Sequence, residues 1–183
     1  MTASRLMTKV AVFGNTGGGK STFSKRLADM TGVPWAPLDL IQYRPGGGEV
    51  SHVEFKAAHD DLLQQEQWII DGFGSLDTLW ERLDAADTLV YLDMSVLRHY
   101  WWVTKRFIKG VWVPPAGWPE NSPLLQGTLN SYYTVWLCHT KLTPRYREYV
   151  NRVQATKRVY HLRSPQDVEN FWQTVTTDRQ LLE

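Results

Sequence analysis

One cysteine, Cys138, is all that the 183 residues contain, and five histidines accompany it. No internal disulfide can form, and a single thiol leaves no four-ligand zinc cluster. An excess of charge of one sign is also missing. Twenty Lys and Arg stand against nineteen Asp and Glu, a formal net charge of +1. No global field therefore draws the chain to nucleic acid or to an anionic membrane, and any basic site must be local. No run of about 18 apolar residues occurs, as a membrane span would require. Met1 to Thr8 lacks the apolar core of a signal peptide. No repeat or low-complexity tract is visible. These absences lead to the expectation of a cytoplasmic protein that binds small molecules, with neither membrane nor nucleic acid as a partner. The 43% of hydrophobic residues suffice for a self-contained core, and the length favours a single domain over residues 1–183.

Glycine, by contrast, is concentrated in one place. Gly14-Asn15-Thr16-Gly17-Gly18-Gly19-Lys20-Ser21 matches G-x-x-x-x-G-K-[ST] and follows the apolar run Lys9-Val10-Ala11-Val12-Phe13. That order, strand then glycine-rich loop, is a phosphate-binding P-loop (the Walker A motif). Its glycines permit positive φ and let successive N–H groups approach a β- or γ-phosphate. Lys20 supplies a point charge, and the Ser21 hydroxyl is a magnesium ligand of the right kind. Phe23, Leu27 and Met30 recur at i, i+4 and i+7, so Thr22 opens a helix whose positive N-terminus points at the phosphates.

Beyond the motif, strand and helix alternate. Pro34 to Asp39 reads as a short strand, and Ser51-x-x-Glu54 caps a helix to about Gln65. Trp68-Ile69-Ile70-Asp71-Gly72 suits a central parallel strand. A short helix over Leu76 to Leu83 precedes the strand Thr88 to Asp93, followed by a helix from about Ser95 to Lys109. Pro114, Pro115, Pro119 and Pro123 forbid regular helix in the next stretch. A helix over about Leu125 to Leu142, an interruption at Pro144, and a helix from Arg145 to Gln154 come next. Arg158 to Leu162 is the last strand, and Ser164-Pro165-x-Asp167 starts the last helix. Five strands so arranged predict a three-layer α/β/α P-loop NTPase with a parallel sheet, interrupted by an insertion at about 110–125.

In such a sheet the chemistry gathers at the carboxyl ends of the strands. Asp71 is expected to organise the metal with Ser21, the alternative being a turn aspartate at a strand exit. Asp39 is expected to face substrate from the next strand tip, where it accepts a hydroxyl hydrogen bond, helps orient magnesium, or serves only a turn. Asp93 has an evident capping or loop role before Ser95. Arg98, Lys105 and Lys109 share a helix face that Arg106 flanks, and such a basic stripe can clamp a transferring phosphoryl group or simply be solvated. Arg145 and Arg147 are a second, lesser set. Nine tryptophans are many for this length, and Trp101, Trp102, Trp112, Trp118 and Trp136 crowd one segment. That segment is a lid, part of the core, or an interface.

The P-loop, the Trp68-Ile69-Ile70-Asp71-Gly72-Phe73 and Thr88-Leu89-Val90-Tyr91-Leu92-Asp93 elements, and the basic Lys105-Arg106 pair together resemble the adenylate-kinase-related P-loop proteins often labelled DNA topology modulation proteins. The resemblance spans about residues 9 to 172. It implies a nucleoside-monophosphate-kinase type of core with an inserted lid, Mg-ATP as phosphoryl donor, and Asp71 near the metal. Gly74-Ser75 stands where adenylate kinases have Pro-Arg, so the arginine that holds the AMP phosphate is missing and an acceptor other than AMP is implied.

The residues thus expected to carry function are Gly14, Asn15, Thr16, Gly17, Gly18, Gly19, Lys20, Ser21 and Thr22 for nucleotide, with Ser21 and Asp71 for magnesium. Lys20, Asp71 and Arg106 would carry catalysis, and Asp39 and Arg98 the acceptor, a nucleotide or small hydroxylated metabolite. Two function classes fit: a kinase, or a nucleotide-dependent regulatory protein that hydrolyses ATP slowly.

Overall fold

The computed structural model describes residues 7–44, 48–110 and 124–180. Five strands, β1 (Lys9–Gly14), β2 (Trp35–Pro37), β3 (Trp68–Asp71), β4 (Thr88–Leu92) and β5 (Arg158–Leu162), form one sheet in the order β2-β3-β1-β4-β5. All neighbouring pairs are parallel. Parallel neighbours need crossover connections, and among the described residues seven helices lie in them: α1 (Lys20–Thr31), α2 (Asp39–Gln42), α3 (His52–Gln64), α4 (Leu76–Ala85), α5 (Val96–Gly110), α6 (Leu124–Leu137) and α7 (Thr143–Val153); α8 (Pro165–Gln180) follows β5. The three-layer arrangement expected from the sequence is therefore the one observed.

Strand alternation divides the core in two. Ala11 and Phe13 point to one face and pack with Phe55, Leu79, Leu83, Tyr146 and Tyr149. Val10 and Val12 point to the other, against Phe23, Leu27, Phe171 and Trp172. Both faces of β1 are thus covered, as a central parallel strand requires. The register sets Val12 opposite Asp71 and Gly14 opposite Leu92, which brings the ends of β3 and β4 to either side of the P-loop.

Local signals explain several helix ends. Ser51 accepts a hydrogen bond from the Glu54 amide at 3.2 Å, and Ser75 forms a reciprocal cap with Thr78. Gly32, at φ +74°, closes α1 through its N–H to Ala28 at 2.8 Å. One expectation fails. Pro144 does not interrupt a helix; it sits in the first turn of α7, where its missing N–H costs nothing. The preceding turn, Cys138–Leu142, widens to a π-helix that joins α6 to α7. The insertion expected at about 110–125 falls almost wholly outside the described residues. No helix among them is long and apolar enough to cross a membrane.

Candidate active site

The P-loop joins β1 to α1 in a conformation that only its glycines allow. Gly14, Gly17 and Gly19 have φ of +143°, +72° and +77°. Within it, the Lys20 ammonium donates to the Asn15 carbonyl at 2.9 Å, and the Thr16 amide donates to Asn15 Oδ1 at 2.7 Å. Asn15 Nδ2 donates in turn to the Val135 carbonyl of α6 at 3.0 Å. Helix α5 braces the loop from outside: His99 Nδ1 lies 3.0 Å from the Thr16 carbonyl. A carbonyl only accepts, so Nδ1 carries the proton. A Cβ on Gly18 would come within 2.9 Å of His99 Cε1, so the imidazole lies flush against the loop. Burial, and then the Lys20 charge, push the His99 pKa down to about 4, which keeps the ring neutral. Ser21 and Thr22 are exposed in the first turn of α1.

Asp71 ends β3 and is 1% exposed. Its Oδ1 accepts a 3.4 Å hydrogen bond from Trp35 Nε1, whereas Oδ2 has no hydrogen-bond partner. Burial raises its pKa; the Ser21 hydroxyl, the Lys20 ammonium, the Trp35 N–H and the Ser24 hydroxyl act in the opposite direction. A buried carboxylate oxygen without a donor is costly. Beside an exposed serine hydroxyl and the P-loop ammonium, it is the oxygen donor set that a hard divalent cation takes, so these residues fit magnesium.

On the β2 side, the Leu38 amide donates to the Asp71 carbonyl at 2.9 Å. A Cβ on Gly72 (φ +108°) would sit 2.9 Å from Leu38 Cβ. This close approach places Asp39, exposed at the start of α2, one residue from the backbone that leads to Asp71. Helix α2 itself had no signal in the sequence. Arg82, wholly buried in α4, donates Nη2 to the Gly72 carbonyl at 2.9 Å, and its Nε and Nη1 have no hydrogen-bond partner. Burial pushes its pKa down to about 10, against the opposing influence of Tyr146 and Asp71.

On the β4 side, Asp93 does not serve merely as a cap. It accepts both Arg147 Nε at 2.8 Å and Nη2 at 3.0 Å, and His161 Nε2 lies 2.8 Å away. Burial opposes its ionisation, yet His161 and Arg147 together hold its carboxyl far below the usual range. Arg145 stacks instead over Trp80 at 5.2 Å. Arg98, half-buried in the first turn of α5, places its guanidinium 5.9 Å from the Trp102 ring. The strands leading to Asp39 and Arg98, β2 and β4, lie on opposite sides of β1. The Arg106 side chain lies outside the described residues. Trp101 and Trp136 are exposed on α5 and α6, which removes these two from the core.

No family model and no curated protein matches the chain. Solved structures do. Shikimate kinase from Acinetobacter baumannii, in complex with shikimate, aligns at TM-score 0.58 and 18% identity over 96% of this chain and 93% of that one. Shikimate kinase from Bacteroides thetaiotaomicron aligns at TM-score 0.53 and 17% identity, over 96% and 98% of the two chains. The fold is that of the P-loop kinases. Deoxyadenosine kinase from M. mycoides gives a P-loop kinase likeness of the same kind, at TM-score 0.50 and 15% identity over 95% of this chain and 99% of that one.

Sequence reasoning singled out the P-loop and Asp71 but not the residues packed against them. His99 appeared only as one member of a basic helix. Trp35 and Ser24 carried no sequence signal for proximity to Asp71. Arg82 lies in the last turn of the helix expected over Leu76 to Leu83, and nothing in its neighbourhood announces complete burial.

Proposed function

We propose that this chain is an ATP-dependent phosphotransferase that moves the γ-phosphoryl group of Mg-ATP to a hydroxyl of a small acceptor. The observation that carries the reading is Asp71 Oδ2, buried beside Lys20 and Ser21 and without a hydrogen-bond partner. In this reading the amides of Gly14 to Gly19, with Lys20 and Thr22, bind the donor phosphates. Ser21 and Asp71 would hold magnesium, whose charge neutralises the β- and γ-phosphate oxygens. Arg106, on the helix that follows β4, steadies the transferred group. Asp39 accepts the hydrogen bond of the attacking hydroxyl and orients it. The acceptor oxygen bonds to phosphorus as the bond to ADP breaks, and the hydroxyl proton leaves to solvent past the exposed Asp39. Positioning and electrostatics supply the rate, with no side chain needed as nucleophile.

Gly74-Ser75 in place of Pro-Arg sets the chain apart from adenylate kinases acting on AMP. The Trp68-to-Gly72 element supports a place in the branch labelled DNA topology modulation proteins, whose label we take to imply no nucleic-acid chemistry here. One domain with a lid at about 110–125 completes the proposal. The test is a panel of nucleosides, nucleoside monophosphates and hydroxylated metabolites offered with γ-labelled Mg-ATP. Label in an acceptor that disappears in Lys20→Ala supports the kinase. Nucleotide binding with no labelled acceptor across the panel favours a regulatory protein.

A further inference from the structure

An arginine taken out of water is expected to pair with a carboxylate, because an unpaired buried cation is destabilising. Arg82 departs from that rule. It is 0% exposed in α4, and no ion pair among the described residues includes it. Its Nη2 donates to the Gly72 carbonyl at 2.9 Å, while Nε and Nη1 have no hydrogen-bond partner. Burial pushes its pKa down only to about 10, so the side chain keeps its charge at neutral pH.

Nothing in the core accounts for a cation there. His59 of α3 is also wholly buried, and neither of its ring nitrogens has a hydrogen-bond partner. Burial, and then the Arg82 charge, lower its pKa, so the ring stays neutral and supplies no counter-charge. An apolar side chain of similar volume would serve the core at least as well. What it could not do is donate to Gly72.

That carbonyl belongs to the peptide that follows Asp71. Gly72 turns there at φ +108°, and the Asp71 carbonyl before it accepts the Leu38 amide at 2.9 Å. Two consecutive carbonyls are thus tied down, one to the start of α2 and the other to α4. The Asp71 side chain is held less firmly, since Oδ1 accepts from Trp35 Nε1 at 3.4 Å and Oδ2 has no hydrogen-bond partner. The direction of Oδ2 therefore rests on the backbone that carries it.

We infer that Arg82 is a positioning residue for the metal site: by holding the Gly72 carbonyl it fixes the peptide after Asp71, and so the direction in which Oδ2 meets magnesium. The inference rests on the kinase reading, which assigns magnesium to Ser21 and Asp71. Arg82 acts through the backbone and not on the nucleotide.

The experiment measures binding of a non-hydrolysable ATP analogue by titration calorimetry, with and without magnesium, in the parent, Arg82→Met and Arg82→Lys. Methionine keeps the volume and loses the donor, whereas lysine keeps a donor. Metal-free binding should be the same in all of them. The gain in affinity from magnesium should fall about tenfold in Arg82→Met, for one lost hydrogen bond from a charged donor, and return to within about threefold of the parent in Arg82→Lys. In an Asp71→Asn background, Arg82→Met should cause no further loss, because both changes act on the same oxygen. A folded Arg82→Met with the parent's magnesium response overturns the inference. So does an equal loss in the methionine and lysine variants, or an equal loss with and without the metal. Should Arg82→Met fail to fold, Arg82→Gln takes its place: its shorter side chain gives up the reach to Gly72, and a response equal to that of Arg82→Lys overturns the inference. If the parent itself shows no magnesium response, the metal assignment falls and takes this inference with it.

Discussion

His99 Nδ1 and the Thr16 carbonyl oxygen lie 3.0 Å apart, and through this contact helix α5 holds the P-loop from the outside. The peptide joining Thr16 to Gly17 is planar and trans, so turning its carbonyl toward His99 turns the Gly17 N–H away from α5. That is the orientation an anion-binding loop needs.

The His99 contact should appear in donor binding. His99→Leu removes the donor while leaving a side chain to fill the space, and should raise the KM for ATP about tenfold for the loss of one hydrogen bond to a buried loop carbonyl. His99→Gln, whose amide still donates, should recover most of the loss. If the two variants weaken ATP binding equally, His99 contributes packing alone.

Protonation of His99 should also show in stability. The ring titrates near 6.5 when unfolded and near 4 when folded. Between those values the unfolded chain binds more protons, so the contribution is fully present above pH 6.5 and is lost as pH falls toward 4. The full shift corresponds to roughly 3 kcal/mol. His59 is shifted in the same direction by burial, so the comparison is between parent and His99→Gln. Urea unfolding at pH 7 and pH 4.5 should give a smaller loss in the variant. An identical loss removes His99 from the pH dependence.

Asp71→Asn keeps the shape at the end of β3 and removes the charge. Magnesium-dependent turnover should fall by at least about a hundredfold, while metal-free nucleotide binding changes little. Isothermal titration with and without magnesium separates the two effects. Equal turnover in variant and parent excludes Asp71 from the mechanism.

The backbone makes a demand of its own at Gly14. Its φ is +143°, and a Cβ there would collide with the Leu92 carbonyl of β4. Gly14→Ala should destabilise the fold by about 2 kcal/mol or more, read as a lower urea midpoint. An unchanged midpoint would mean that β1 and β4 can separate at their ends without cost.

Arg82 invites a comparison of two substitutions. Arg82→Ala leaves the Gly72 carbonyl without its donor and opens space in the core, so about 3 to 5 kcal/mol should be lost. Arg82→Met retains volume and removes the two buried nitrogens that have no partners, so it should cost markedly less. Thermal melts of the two variants test the ordering; a costlier Met variant would contradict it.

What could be read before folding and what could not divide along a physical line. The glycines from 14 to 19 announce themselves because positive φ and close backbone approach admit few other residues. The end of β3 at Asp71 is legible because an apolar run closed by a carboxylate and a glycine reads as a strand exit. Asp93 was misjudged: its local setting is that of a cap, and only the return of α7 and β5 brings Arg147 and His161 to it. His99 and Arg82 were overlooked for the same reason. Burial of a polar side chain depends on distant partners, and no local pattern encodes them. The Pro144 expectation failed because a proline is tolerated in the first turn of a helix, where Pro144 lies in α7.

The central claim is phosphoryl transfer to a small acceptor, and product stoichiometry tests it most directly. With γ-labelled Mg-ATP and a reacting acceptor, one phosphorylated acceptor should form for each ADP, little inorganic phosphate should appear, and Lys20→Ala should abolish both products. ADP matched instead by inorganic phosphate, at a rate indifferent to any acceptor, would contradict the account.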